Sequence, residues 1–208
     1  VDKLNIETIT LDEVLDLDAP FLLCPNQVGY HDPFIANYFI PHRVHYVVSD
    51  AAFRTSRRKF LLSLVGSIPK TKSMVDIESV RMMFSVIKAK RCLGIFPEAK
   101  RTWDGTLLPL DNQLPKLIKK LKLPVVTPVF HGMYLTDPRW SENKRIGKIE
   151  LEYKVALRPE EIAKMNPKQI GKRIQESLEY DDYEWQKERM IAYEGKKLAE
   201  HLEYALFM

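Results

Sequence analysis

Asp32 and Pro33 close one short segment, Asn26-Gln27-Val28-Gly29-Tyr30-His31-Asp32-Pro33, and Glu98 and Arg101 stand in a second, Phe96-Pro97-Glu98-Ala99-Lys100-Arg101. A carboxylate beside a proton-accepting group can fix that group's tautomer and stabilise the cation it becomes. A guanidinium offers a planar fork to two oxygens of a phosphate. The two segments therefore hold parts for activating a hydroxyl and for gripping an anionic substrate. Asp followed by Pro is also a good helix start, because Asp caps free amides and Pro tolerates the first turn. A purely structural cap accounts for Asp32 and Pro33 but leaves Asn26 and the tight Val28-Gly29-Tyr30 turn unexplained. A short turn there can bring side chains together at the carboxyl end of a strand, the edge where open α/β sheets bind ligands.

The pair of segments resembles the signature of the lysophosphatidic acid acyltransferases, also called glycerol-3-phosphate and lysophospholipid acyltransferases. In that family an Asn-His pair is followed by four variable residues and then Asp-Pro-Phe. Asn26, Asp32, Pro33 and Phe34 match, and Gln27 stands where the family has its base His. The resemblance implies that the base takes a proton from a glycerol hydroxyl, which then attacks an acyl thioester, with Asp32 as the orienting carboxylate. A glutamine amide does not accept a proton near neutral pH, yet it hydrogen-bonds and roughly fills the shape of an imidazole. The chain as written is expected to be nearly or fully inactive. Gln27 is an introduced inactivating change, or marks a natural binding-only relative, or His31 has taken over as base. Adjacent residues entering a helix point in different directions, which argues against His31.

Further blocks follow in the family's order. Gly66-Ser67-Ile68-Pro69-Lys70-Thr71-Lys72 resembles the second block, with Lys72 where Arg is usual; Lys keeps the charge and loses the fork. Lys70 and Lys72 read equally well as solvated loop charges. Phe96, Pro97, Glu98 and Arg101 match the third block, Phe-Pro-Glu-Gly-Thr-Arg, while Ala99 and Lys100 depart from it. Ala restricts positive φ, so the turn is expected to be a version that tolerates a Cβ. The resemblance implies that this block holds the glycerol-phosphate. Arg101 is then the bidentate phosphate contact, Lys100 and Lys72 add charge, and Glu98 either binds a glycerol hydroxyl or holds Arg101 in place. A surface ion pair of Glu98 and Arg101 is the plain alternative. Trp103-Asp104-Gly105 reads as a turn closing the loop. Val126-Thr127-Pro128-Val129 resembles the fourth block, which helps to shape an acyl pocket, and His131 after it is expected to be structural. No metal is required and no tightly bound cofactor is expected. Acyl-CoA or acyl carrier protein would serve as acyl donor, with a lysophospholipid as its partner substrate.

The elements that must position these residues read as an α/β fold. A single domain over 1–208 is expected, with a core over 20–157 and a helical tail over 158–208. Its sheet would be mixed but mostly parallel and flanked by helices, as in the glycerolipid acyltransferases. Short apolar runs predict buried strands at Phe21–Cys24, His45–Val48, Cys92–Phe96 and Val125–Val129. The alternation from Ile149 to Val155 predicts a strand wet on one face. Helices are expected over Asp76–Lys90, Gln113–Lys122, Pro167–Leu178 and Tyr183–Ala205. The first would carry Ile77, Val80, Met83, Phe84 and Ile87 on one stripe, and the last an apolar stripe through Trp185, Met190 and Leu198. The 208 residues are 45% hydrophobic and 29% charged, which excludes a disordered chain, and a net charge of +4 is too mild to argue for nucleic acid. Cys24 and Cys92 fit no zinc or CxxC spacing, which points to a reducing, cytoplasmic setting. No apolar run approaches the roughly 20 residues that span a bilayer. Arg54, Arg57, Arg58 and Lys59 precede the apolar Phe60, Leu61, Leu62, Leu64 and Val65. That pattern suits either a core helix with a basic edge or peripheral contact with an anionic membrane surface at its inner face. The chain begins at Val1 and ends on the apolar run from Leu202 to Met208, which leaves both ends open to continuation. A phosphate-binding α/β hydrolase is disfavoured, because neither Gly-x-Ser-x-Gly nor a P-loop is present.

Overall fold

The structure is a computed structural model that describes residues 5–70 and 77–206, without the side chains of residues 52, 57, 58 and 61. In chain order the strands are β1 (Asn5–Ile9), β2 (Leu22–Leu23), β3 (Val44–Ser49), β4 (Ile68–Lys70), β5 (Cys92–Gly94), β6 (Val125–His131) and β7 (Lys148–Leu157). The helices are α1 (Asp12–Leu15), α2 (Asp32–Tyr38), α3 (Ser56–Leu64), α4 (Ile77–Lys88), α5 (Leu114–Leu121), α6 (Met133–Thr136), α7 (Pro159–Lys164), α8 (Pro167–Leu178), α9 (Asp182–Arg189) and α10 (Glu203–Leu206). One seven-stranded sheet runs β1-β7-β6-β2-β5-β3-β4. Every pair is parallel except β6–β7, so the sheet is mixed but mostly parallel, as expected.

The run from Phe21 to Cys24 is buried throughout because β2 lies in the middle of the sheet with layers on both faces. α8 packs against β6, β7 and α5 on one face. The Tyr153 hydroxyl of β7 donates to the Ala36 carbonyl at 2.9 Å and pins α2 to the sheet. Charged residues of β7 pair along the strand, Lys148 with Glu150 at 3.0 Å and Lys154 with Glu152 at 2.9 Å.

Several expectations need correction. β1 and β4 were not among the predicted strands; both are edge strands, one of them carrying Pro69, where apolar patterning is weak. Residues before 20 therefore contribute to the sheet. The helix expected over Tyr183–Ala205 is two short helices. α9 stops where Met190 turns left-handed (φ 51°), and the chain then bridges Glu194 to Ile146. Met190 is consequently 80% exposed and Leu198 43%, so neither forms a buried stripe with Trp185. On α4 the inward residues include Ser79 and Met83, whereas Ile77 and Phe84 face solvent.

Candidate active site

β2 and β5 are parallel neighbours in register, Leu22 opposite Leu93 and Leu23 opposite Gly94. Their carboxyl ends emerge side by side, so the segments after them meet although some 70 positions separate them. This is the sheet edge at which α/β folds hold ligands. Asn26 extends the β2–β6 ladder. Its amide donates to the Pro128 carbonyl, and its side chain exchanges hydrogen bonds with the backbone of Phe130 at 2.8 and 3.3 Å. The conspicuous Asn thus fixes the exit angle of the loop.

Gln27 laces the two segments together. Its backbone N–H donates to Glu98 Oε1 at 2.7 Å, and its carbonyl accepts from the Thr102 amide at 3.0 Å. Glu98 Oε2 accepts from the Leu108 amide at 2.8 Å. Both oxygens of this carboxyl are therefore engaged by backbone donors, which makes it a fastener of the two loops. Among the described residues it forms no ion pair with Arg101.

Asp32 does not cap its helix. His31 takes the N-cap position without a side-chain cap bond, and Asp32 turns its carboxyl back into the loop. Its Oδ2 accepts from the Val28 and Gly29 amides at 2.6 and 2.7 Å. Its Oδ1 is buried with no partner, as is Gln27 Oε1. Gly29 permits the close turn: a Cβ there would lie 3.1 Å from Asp32 Oδ1 and 3.3 Å from Met133 Cε. Burial drives the Asp32 pKa up to about 7, against the opposing pull of the two amides and the charge of Arg101. Burial likewise raises Glu98 to about 7, opposed by the Leu108 and Gln27 amides. The deep end of the site is thus a desolvated place that disfavours the charged form of both carboxyls.

The rim is cationic and aromatic. The Arg101 guanidinium lies 3.8 Å above the Tyr30 ring, close enough for its charge to lower the pKa of Asp32. Arg139 donates to the Arg101 carbonyl at 3.0 Å and stacks 4.0 Å over Trp103. Lys144 pairs with Asp137 at 3.1 Å, and its Nζ is 3.5 Å from His31 Nδ1. His31 is exposed on this rim, while the Asp32 carboxyl is buried and turned to the loop amides. The Thr102–Thr106 turn is closed by Asp104, whose Oδ1 accepts from both hydroxyls and from the Thr106 amide.

Ala99 adopts φ 54°, in the left-handed region. The expectation that this turn avoids positive φ is thus overturned. The loop needs the conformation to aim Glu98 inward, and the Cβ is carried there under strain. Lys100 is exposed beside it. Lys70 of β4 pairs with Asp111 at 3.7 Å, and the Asp111 amide donates to the Pro97 carbonyl, which ties the second block to the third. Lys72 lies outside the described residues. His131, beyond the fourth block, stacks on Trp185 with centroids 6.0 Å apart and lies 3.5 Å from Glu152.

Arg54 and Lys59 are exposed, as are Phe60, Leu64 and Val65 beside them; the side chains of Arg57 and Arg58 are not described. Two residues of consequence carried no readable signal in the sequence. Asp182 is buried and accepts from the Gly132 and Tyr134 amides at 2.8 and 3.0 Å, bracing the turn after β6. Arg139 sits in a loop with no fixed spacing to any block. Among the described residues, Glu142, Glu200 and His201 bring possible metal-ligand atoms within 4.8 Å of one another, on the loop after α6 and the C-terminal segment.

A family model described as Acyltransferase matches residues 6–131, more than half the chain, including the segments that follow β2 and β5. The chain belongs to the acyltransferase family. The fold agrees. A crystal structure of the 1-acyl-sn-glycerophosphate (LPA) acyltransferase PlsC from Thermotoga maritima superposes with a TM-score of 0.70 at 16% identity, covering 89% of this chain and 73% of that one. No curated protein matches this acyltransferase-family chain in sequence. No helix among the described residues is long and apolar enough to cross a membrane.

Proposed function

We propose that this fold transfers a fatty acyl group from a thioester of coenzyme A or acyl carrier protein to a hydroxyl of a lysophospholipid or glycerol-phosphate. In the chain as written, Gln27 holds the place of the base and leaves it inactive or nearly so. Asp32 carries the proposal: one of its oxygens is fixed by the Val28 and Gly29 amides, while the other is buried and unsatisfied. A buried acceptor without a donor is costly and invites one. An imidazole at position 27 would supply the missing N–H and present its second nitrogen to the acceptor hydroxyl. As the hydroxyl loses its proton its oxygen bonds the thioester carbonyl carbon, the C–S bond breaks, and the thiolate leaves and takes up the proton. Glu98 positions position 27 through its backbone amide, and Arg101 with Lys100 and Lys72 would hold the phosphate.

Gln27→His is expected to raise acyl transfer by about a hundredfold or more, the usual contribution of a general base. His31→Ala in the same background should change little. Measured with radiolabelled acyl thioester, activity that is already high and is lost on changing His31 would refute the assignment. A second reading, lipid binding without turnover, draws on Gln27 itself; an unchanged, null rate in Gln27→His with intact lysolipid binding would select it.

The lipid acceptor places the protein at a membrane surface, and we assign that contact to the exposed Phe60, Leu64 and Val65 of the α3 region with Arg54 and Lys59, and with Arg57 and Arg58 from the sequence. This is peripheral contact at the cytoplasmic face. Neutralising the four basic residues should reduce co-sedimentation with vesicles rich in anionic lipid, and undiminished sedimentation would count against it.

A further inference from the structure

Two guanidiniums stand together on the rim and neither is neutralised. Arg101 lies over the Tyr30 ring and Arg139 over the Trp103 ring, and Arg139 is tied to the Arg101 backbone through one nitrogen. Among the described residues neither forms an ion pair with a carboxylate. Two acidic groups of the site are occupied elsewhere: Asp137 pairs with Lys144, and Asp32 is turned to its loop amides. Partial burial and the charge of Arg101 both push the Arg139 pKa down, as expected of like charges near one another. Contact with an aromatic face holds each guanidinium without using up its N–H donors, and both side chains remain partly exposed. Such an arrangement keeps a repulsion that an anion relieves, and an anion of charge two relieves it for both partners.

We infer that Arg139 is a second phosphate-binding residue, acting with Arg101 to select acceptors that carry a phosphate monoester over those that carry a diester. The inference rests on the acyl-acceptor function proposed above. A monoester carries between roughly one and a half and two negative charges at neutral pH and three terminal oxygens. That is enough to engage two guanidinium edges at once. A diester carries one charge and two free oxygens, and satisfies one. Arg139 thus sets the head-group preference, while Arg101, nearer Asp32, is the contact common to both acceptor types.

The chain with Gln27 in place suits an equilibrium test. Titration calorimetry would compare a short-chain lysophosphatidic acid with the lysophosphatidylcholine of the same chain, both below their micelle concentrations. The monoester is expected to bind about tenfold tighter or more, as fits an added charge-assisted contact. Arg139→Gln, which removes the charge, should abolish that preference, chiefly by weakening monoester binding. Arg139→Lys, which keeps the charge and loses the planar fork, should retain most of it. A preference that survives Arg139→Gln, or is lost equally in Arg139→Lys, overturns the inference and reduces Arg139 to a strut under Arg101. Failure of the unmodified chain to bind either lysolipid would instead refute the acyl-acceptor function itself.

Discussion

The deep end of the site and its rim are built on opposite physical terms. At the deep end, Asp32 and Glu98 are buried and are held by four backbone amides, those of Gln27, Val28, Gly29 and Leu108. At the rim, Arg101 and Arg139 are half-buried and held by aromatic faces. Backbone donors are fixed by the fold, so the deep end has one geometry and a high cost of error. Stacked cations are held loosely by comparison, and a change there alters what binds more than how the chain folds. Placement is inherited from the sheet; selection is left to side chains.

The contrast can be broken at its strongest point with Glu98→Ala. Two part-buried amides lose their acceptor, each worth up to about 1–3 kcal/mol, so a loss of up to about 2–6 kcal/mol is expected. Denaturant unfolding near pH 5 is the suitable measurement, because there the folded carboxyl is largely protonated and its ionisation adds little. A loss below about 1 kcal/mol would mean that water replaces the carboxyl and that the deep end is not dry.

Asp32→Asn sharpens the contrast through pH. An aspartate titrates near 3.9 in an unfolded chain, and Asp32 is raised to about 7 here. Between those values the native state holds a proton that the unfolded chain has released, so stability falls as pH rises from about 4 to 7 and does not recover above it. An asparagine keeps an oxygen for the Val28 and Gly29 amides and has nothing to ionise. Wild type and variant should therefore match near pH 4 and separate progressively, with Asp32→Asn more stable above pH 7 by a few kcal/mol. Parallel stability curves from pH 4 to 8 would contradict the burial described for this carboxyl.

Ala99 lies between the two regions, with Glu98 on one side and Arg101 two positions on. Ala99→Gly relieves a left-handed alanine and adds some freedom to the unfolded chain, so a net gain of up to about 1 kcal/mol is expected. No change in lysolipid binding should accompany it. A shift in melting temperature with no shift in affinity would place the strain in the turn alone.

Much of this was legible in the residues themselves. Asn26, Asp32, Glu98 and Arg101 stood out because they match the first and third blocks of the acyltransferases at the same offsets. The buried strands β2, β5 and β6 were legible because a central strand must be apolar on both faces. Edge strands carry no such demand, which is why Asn5–Ile9 and Ile68–Lys70 passed unread. The last helix was overestimated because charge and scattered apolar residues mimic an amphipathic pattern until a left-handed turn at Met190 ends it.

The sequence by itself determined the family and the order of the blocks, since these are properties of side-chain identity and local spacing over residues 6–131. Tertiary structure alone decided the partners. A carboxylate before proline caps its helix or turns back into the preceding loop according to which amides lie within reach, and only the loop's path put Val28 and Gly29 there. Glu98 became a fastener because β2 and β5 are adjacent and parallel. Arg139 joined the rim because a loop after β6 returns over Trp103. Such neighbours are set by strand order, and strand order follows from packing the whole apolar core, which no single segment encodes.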